Sequence, residues 1–337
     1  MFHSRSRASG GTGDTMGVVT FFWLNFHLPY TCRHSGMCCS SGWPIPVERS
    51  KVPFIEEAIA RDTVPLRVVP WLTPDPTAPE DVGGTLALRE NGHCVFFEAG
   101  RPGCAVHGVK PSACVHFPYV CLIDPRGVRV NLSHFCPTAT ALLFEHRGPI
   151  EIVEGPNPLE GADALEGLDA RDALPPARSE TQLMSWDEFT EWERFRVSTA
   201  RVEEWNEQDL VLFERARAAV PAPWSWQPAP EGISGAWWSG VAPVWHRYND
   251  VCTRYVAAKI FGSWSVYLGN GIESITETAN LAAAVLRVEC ARQCLFFGRA
   301  LDKEMMSEAV RQSDLLLVHY AEPSLLAGAS THSPFAS

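Results

Sequence analysis

The chain has 337 residues, 46% of them hydrophobic, which allows a sizeable core in one large domain or two smaller ones. Its formal net charge of −11 argues against nonspecific nucleic-acid or anionic-membrane binding, which requires a basic face. No apolar run reaches the length of a transmembrane helix, so neither a membrane nor a nucleic acid is expected as a partner.

At the N-terminus, Arg5 and Arg7 precede the apolar run Val18–Phe26 in the manner of a weak signal peptide. The gap between them is Gly-rich, and no small-residue cleavage site follows before Cys32. Residues 1–15 are therefore expected as a disordered leader, with Met16 a candidate start and Val18–Phe26 a strand or buried segment. A cytoplasmic location follows as an expectation, and disulfides are rare there. Gly10, Gly11 and Gly13 lack the preceding strand and the Lys of a phosphate loop.

Eight of the eleven cysteines fall between residues 32 and 136: Cys32, Cys38, Cys39, Cys94, Cys104, Cys114, Cys121 and Cys136. Thiols this dense in an intracellular chain point to metal or redox chemistry, and a metal can fix a segment that has little core of its own. Gly36 and Gly42 permit tight turns around the first group. Residues 50–61 are expected as a short helix and Pro65–Pro79 as a proline-rich loop. Leu86–Arg89 and Cys94–Phe97 flank Asn91-Gly92, which predicts a hairpin. Val128–Leu132 is predicted as a strand, and Ala139–Phe144 as helical.

Residues 148–181 carry eight acidic and two basic side chains among Gly, Ala and Pro, and are expected as a solvated linker or loop. Helices are predicted to dominate thereafter. Ser185 and Glu188 form a capping-box pattern, and Ser274 and Glu277 form another, opening a long helix from about Glu277 to Leu301. Asn206 and Asp302 are further candidate caps, the latter for a last helix through Tyr320. Tyr248–Tyr267 reads as one helix ended by Gly269, while the Pro- and Trp-rich stretch 221–245 is not expected to be regular throughout.

The cysteine pattern resembles the YkgJ-type zinc/iron-chelating cysteine-cluster family. Its first motif, C-x-x-C-G-x-C-C, is matched by Cys32-Arg33-His34-Ser35-Gly36-Met37-Cys38-Cys39. Its second is matched by Cys94 and Cys104 with Lys110-Pro111-Ser112-Ala113-Cys114-Val115-His116-Phe117-Pro118. A closing L-S-C-P element is matched, with a two-residue insertion, by Leu132–Pro137. Gly42-Trp43 and a helical C-terminal half are similar to the flagellin lysine-N-methylase relatives. The resemblance covers about 110 residues and implies a metal or iron–sulfur site. For the methylase branch it also implies methyl transfer to lysine on a protein substrate, with S-adenosylmethionine as donor. Ser35 stands where the family has a cysteine, with His34 beside it, and Lys110 and Val115 replace arginines.

The expected ligand set is Cys32, Cys38, Cys39, Cys94, Cys104, Cys114 and Cys136, holding zinc or an iron–sulfur (4Fe-4S) cluster. One such centre takes four ligands, so seven thiols exceed a single site. Cys121 lies outside the family pattern, and His107, His116 and His134 read as supporting or surface residues. Cys290 and Cys294, one helical turn apart, read as core, as do most of Trp224, Trp226, Trp237, Trp238 and Trp245. No Ser-His-Asp order, His-Glu-x-x-His or glycine-rich methyltransferase loop is present, so no catalytic residue is named. The expected fold is mainly α with a small irregular α+β cysteine-cluster metal-binding domain at 16–147. The 148–181 linker follows, then a helical domain at 182–326 and a disordered tail at 327–337. The alternative function is a non-enzymatic, zinc-stapled structural or interaction module.

Overall fold

The computed structural model describes residues 19–61, 70–76, 78–98, 103–159, 167–179 and 181–328. The expected leader, the Met16 start, the glycine patch, part of the Pro65–Pro79 loop and most of the tail lie outside these residues. Helix accounts for about 46% of the chain and strand for 15%, so the class is mixed α+β with helix the larger share. Among the described residues, no helix is long and apolar enough to cross a membrane.

In chain order the first half contains β1 (Phe21–Leu24), β2 (Pro46–Glu48), α1 (Val52–Ala60), β3 (Leu72–Thr73), β4 (Val82–Leu86), α2 (Ser112–His116), β5 (Tyr119–Asp124), β6 (Gly127–Leu132) and α3 (Pro137–Glu145). Then come β7 (Ile152–Gly155), β8 (Gly167–Asp169), β9 (Ala177–Ser179), β10 (Gln182–Leu183), α4 (Trp186–Ser198) and α5 (Gln208–Ala218). The helical half continues with α6 (Ile233–Ala236), α7 (Asn249–Ile260), α8 (Ser265–Leu268), α9 (Ile272–Phe297), α10 (Lys303–Asp314) and α11 (Pro323–Leu326).

The central sheet has the order β7-β1-β6-β5-β8. β1 runs parallel to β6 and antiparallel to β7, while β5 and β6 form an antiparallel pair. The pleat sends alternate side chains to opposite faces. Trp23, Cys121, Val128, Val130 and Leu132 form one apolar layer with Ala139 and Leu142 of α3. Leu24 and Leu122 face the other way, into a large core shared with α4, α5, α7, α9 and α10. That shared core packs the sheet directly on the helical half.

The stretch 148–181 supplies more than a linker, because β7 and β8 close the two edges of the central sheet. Residues 160–166, with three of its acidic side chains, lie outside the described residues. Between β1 and β5 the chain makes one long excursion that carries a three-stranded sheet, β2-β4-β3. This excursion has a small apolar core of its own, including Val47, Ile55, Leu86, Val95 and Phe96.

Several local signals act as their chemistry dictates. The Ser185 hydroxyl accepts from the Glu188 N–H at 3.2 Å and Glu188 accepts from the Ser185 N–H at 2.8 Å, a complete capping box. Asp302 caps α10 by accepting from the Met305 N–H at 2.9 Å. The Asn91-Gly92 turn forms, but its arms pair through the isolated bridge Leu88–Cys94 and the Arg89 side chain rather than as two strands, and Phe97 bridges onward to Cys104.

Two helix expectations shift. The Ser274 pattern does not cap: α9 starts earlier, at Ile272, and the Ser274 hydroxyl instead accepts from the Asn270 N–H and donates to the Ala327 carbonyl at 3.0 Å. That bond buries Ala327, so the ordered chain extends past the expected start of the tail. The single helix expected over Tyr248–Tyr267 is broken between α7 and α8, where the Gly262 N–H donates to Glu193 at 3.1 Å. The tryptophan-rich stretch is, as expected, not regular throughout: 221–232 is irregular, while a wide helical turn at Trp237–Val241 and a 3₁₀ segment at Ala242–Tyr248 continue α6.

Candidate metal centre

Four separate pieces of backbone bring five thiols together. Gly36, with φ of 72°, turns the chain into a 3₁₀ turn at Met37–Ser40 that carries Cys38 and Cys39. An ideal Cβ on Gly36 would lie 2.2 Å from the Phe97 ring, so both the backbone angle and the space exclude a side chain. Cys94 is held against this turn because its N–H donates to the Cys39 carbonyl at 2.7 Å. Cys104 is placed by its bridge to Phe97, and Cys114 by α2, whose Ser112 N–H donates to Glu48 of β2 at 3.2 Å. Cys94 belongs to the small apolar core of the excursion, and Cys39, Cys104 and Cys114 pack against it.

The electrostatics of these thiols are mutual. The Cys39 thiol donates to the Cys38 sulfur, which, with Lys110 nearby, brings Cys38 down to about 7 against its burial. Cys39 is pushed far up by giving that hydrogen bond, then by burial and by Cys38, Cys94 and Cys104. Burial raises Cys94 to about 11 and raises Cys104 and Cys114, with neighbouring thiols adding to each rise. A set of thiols that oppose one another's ionisation is what a cation would relieve.

Cys32 and Cys136 form a second pairing. Since β1 and β6 are parallel neighbours, the chain segments that follow them leave the sheet at the same end. Cys136 lies 3.6 Å from the Tyr30 hydroxyl. Burial raises Cys136, with Cys32 adding to the rise and the Tyr30 contact opposing it. Cys121 lies on the buried face of β5, where burial alone raises it to about 12.

The soft sulfur donors suit zinc or an iron–sulfur cluster. Their arrangement is open, however: among the described residues, no group of three or more His, Cys, Asp or Glu side chains is arranged to hold a metal ion. The expected thiols are thus gathered as neighbours, not as a closed ligand shell. Ser35 accepts weakly from the Met37 N–H at 3.5 Å, while His34 is held at φ 53° with its ring 4.9 Å from His107. His116 turns back to the Ser112 carbonyl at 2.8 Å.

His134 belongs to something the sequence did not announce. Its ring lies 3.1 Å from His27 and 3.4 Å from Asp314, and all three side chains are fully buried. Asp314 also accepts from the His134 backbone N–H, from Tyr255 at 3.0 Å, and pairs with Lys259. Beside it, Ser133 meets His319 at 2.7 Å, and His319 stacks on Trp43 with ring centres 4.4 Å apart. Burial would raise Asp314, but Lys259 and His134 outweigh it and hold the carboxyl far below its usual range. This junction clamps the segment Ser133–Cys136 to α7 and α10. His27, Lys259, Asp314 and His319 are dispersed over nearly 300 residues with no spacing motif, so only the fold unites them.

Cys290 and Cys294 are core residues, as expected, with the Cys290 thiol 3.5 Å from the Met306 sulfur. Trp237 and Trp245 are buried and pack on each other at 5.0 Å, whereas Trp238 is exposed. Compared with known proteins, the chain matches no family model, no curated protein and no solved structure.

Proposed function

We propose that this chain is a metal-binding cysteine-cluster protein in which Cys38, Cys39, Cys94, Cys104 and Cys114 supply the thiols of a zinc or iron–sulfur centre. The observation that carries the reading is the convergence of four backbone segments that place Cys39, Cys94, Cys104 and Cys114 on one small apolar core, with Cys38 beside Cys39 on the same turn. The core is small and the excursion loop-rich, and bound metal would add folding free energy there. Cys32 and Cys136 are candidates for a second contact. Methyl transfer to a protein lysine, with S-adenosylmethionine as donor, is the enzymatic form of the reading and rests on the motif resemblance alone.

A non-enzymatic stapling role is favoured by the buried junction, which ties the cysteine-bearing segment to the helical half as a structural element would. Metal analysis of anaerobically purified protein tests the shared claim. Calorimetric titration with S-adenosylmethionine separates the two forms, since a saturable heat supports the enzymatic one and its absence supports stapling.

A further inference from the structure

Away from the cysteines, the turn between β5 and β6 meets α4 in a cluster of four charges. Asp124 ends β5, Arg126 lies on the turn, Arg129 on β6 and Glu193 on α4, and all four side chains are almost wholly buried. The two arginines are treated unequally. Arg126 donates to Asp124 at 2.7, 3.1 and 3.3 Å and to Glu193 at 3.0 Å. Asp124 also accepts from the Arg126 N–H and Tyr267, and Glu193 from the Gly262 N–H. Arg129 is left with ion-pair distances of 3.6 Å to Glu193 and 3.8 Å to Asp124, and its Nε and Nη1 make no hydrogen bond. A buried guanidinium with idle donors is costly unless something accepts from them.

Arg129 lines a pocket of about 320 Å³, within the range of small-ligand sites. Phe22, Ile152 and Trp186 give it apolar walls, and Arg194 stands at its exposed rim. The Arg129 guanidinium lies 4.5 Å above the Phe22 ring, which leaves its plane fixed for a planar acceptor. We propose that this pocket binds a small aromatic monocarboxylate, its carboxylate accepting from Arg129 and its ring lying against Trp186 and Ile152. A single negative charge suits the site better than a phosphate dianion, because Asp124 and Glu193 lie within the same cluster. The inequality of the arginines agrees: burial lowers Arg129, whereas Glu193 and Asp124 overcome burial to raise Arg126.

The experiment is calorimetric titration of the full chain with benzoate, benzamide and inorganic phosphate in turn. One saturable site for benzoate is expected, with benzamide at least about tenfold weaker because it lacks the charge-assisted contact. Arg194→Gln, at an exposed position, should weaken benzoate several-fold without disturbing the fold, and Arg129→Lys should weaken it more. Trp186→Phe should abolish the part of the tryptophan fluorescence change that benzoate causes in the unaltered chain. Absence of saturable benzoate binding, equal binding of benzamide, tighter binding of phosphate, or full affinity in a folded Arg129→Lys variant would each overturn the proposal.

Discussion

His134 and Asp314 face each other at 3.4 Å with no exposed side-chain surface on either, and this contact joins the end of β6 to the end of α10. The carboxylate also holds Lys259 and the Tyr255 hydroxyl. Asp314→Asn should therefore be strongly destabilising, by about 3–5 kcal/mol, because it leaves the largely enclosed Lys259 ammonium beside no counter-charge. Tyr255→Phe removes one hydrogen bond to a charged group and should cost about 1.5–3 kcal/mol. Urea unfolding midpoints of the two variants check both the size and the order of these losses.

The same junction sets a pH dependence. Burial pushes His319 down to about 3, and burial together with His134 and Lys259 pushes His27 well below its usual value. In the unfolded chain both titrate near about 6.5. Their folded values are lowered, so below that pH protons bind the unfolded chain first. Stability is complete above about pH 6.5 and declines as pH falls, by about 1.4 kcal/mol per pH unit for each histidine. Asp314, held low by Lys259 and His134 against its burial, adds a further loss only once the pH falls below its unfolded value of 3.8. Unfolding midpoints measured from about pH 7 to about pH 5 should fall steadily, and His319→Gln should flatten the slope. A level profile over that span would contradict the buried neutral assignment.

Gly36 and Gly42 separate backbone strain from crowding at the first thiol turn. Both have positive φ, 72° and 77°. A Cβ on Gly36 would strike Phe97, whereas nothing lies within 4 Å of one on Gly42. Gly42→Ala should cost only the conformational penalty, of the order of 1–2 kcal/mol. Gly36→Ala should cost more and displace Cys38 and Cys39, which reactivity of the thiols toward an alkylating reagent would report.

How far the sequence foretold this arrangement depends on the range of each signal. The Ser185 and Asp302 caps, β6 and α3 follow from neighbouring residues, and they form as local chemistry requires. β5 has no turn signal to set it off, because Tyr119–Asp124 follows directly on the Cys114–Pro118 segment. β7 and β8 are hidden in the sequence because acidic, Gly-rich composition resembles solvated loop, and a sheet edge needs little apolar pattern. The Ser274 pattern misled because a hydroxyl followed by Glu three residues on is also common inside a first helical turn. The thiol gathering was legible from density alone. The Asp314 junction and the Arg129 pocket were not, since each depends on residues more than 60 positions apart.

Cysteine substitutions should divide by location. Cys94→Ser and Cys114→Ser should lower both metal content and thermal stability, because ligand loss removes binding energy that is also folding energy. Cys121→Ala, in the sheet core and outside the thiol group, should lower stability through a small cavity while leaving metal content unchanged.

Anaerobic purification followed by metal analysis and an absorption spectrum of the same sample tests the metal centre most directly. Stoichiometric zinc, or iron with acid-labile sulfide, is expected, and should be lost in Cys94→Ser and Cys114→Ser but kept in Cys121→Ala. A folded, metal-free protein that takes up neither zinc nor iron would contradict it.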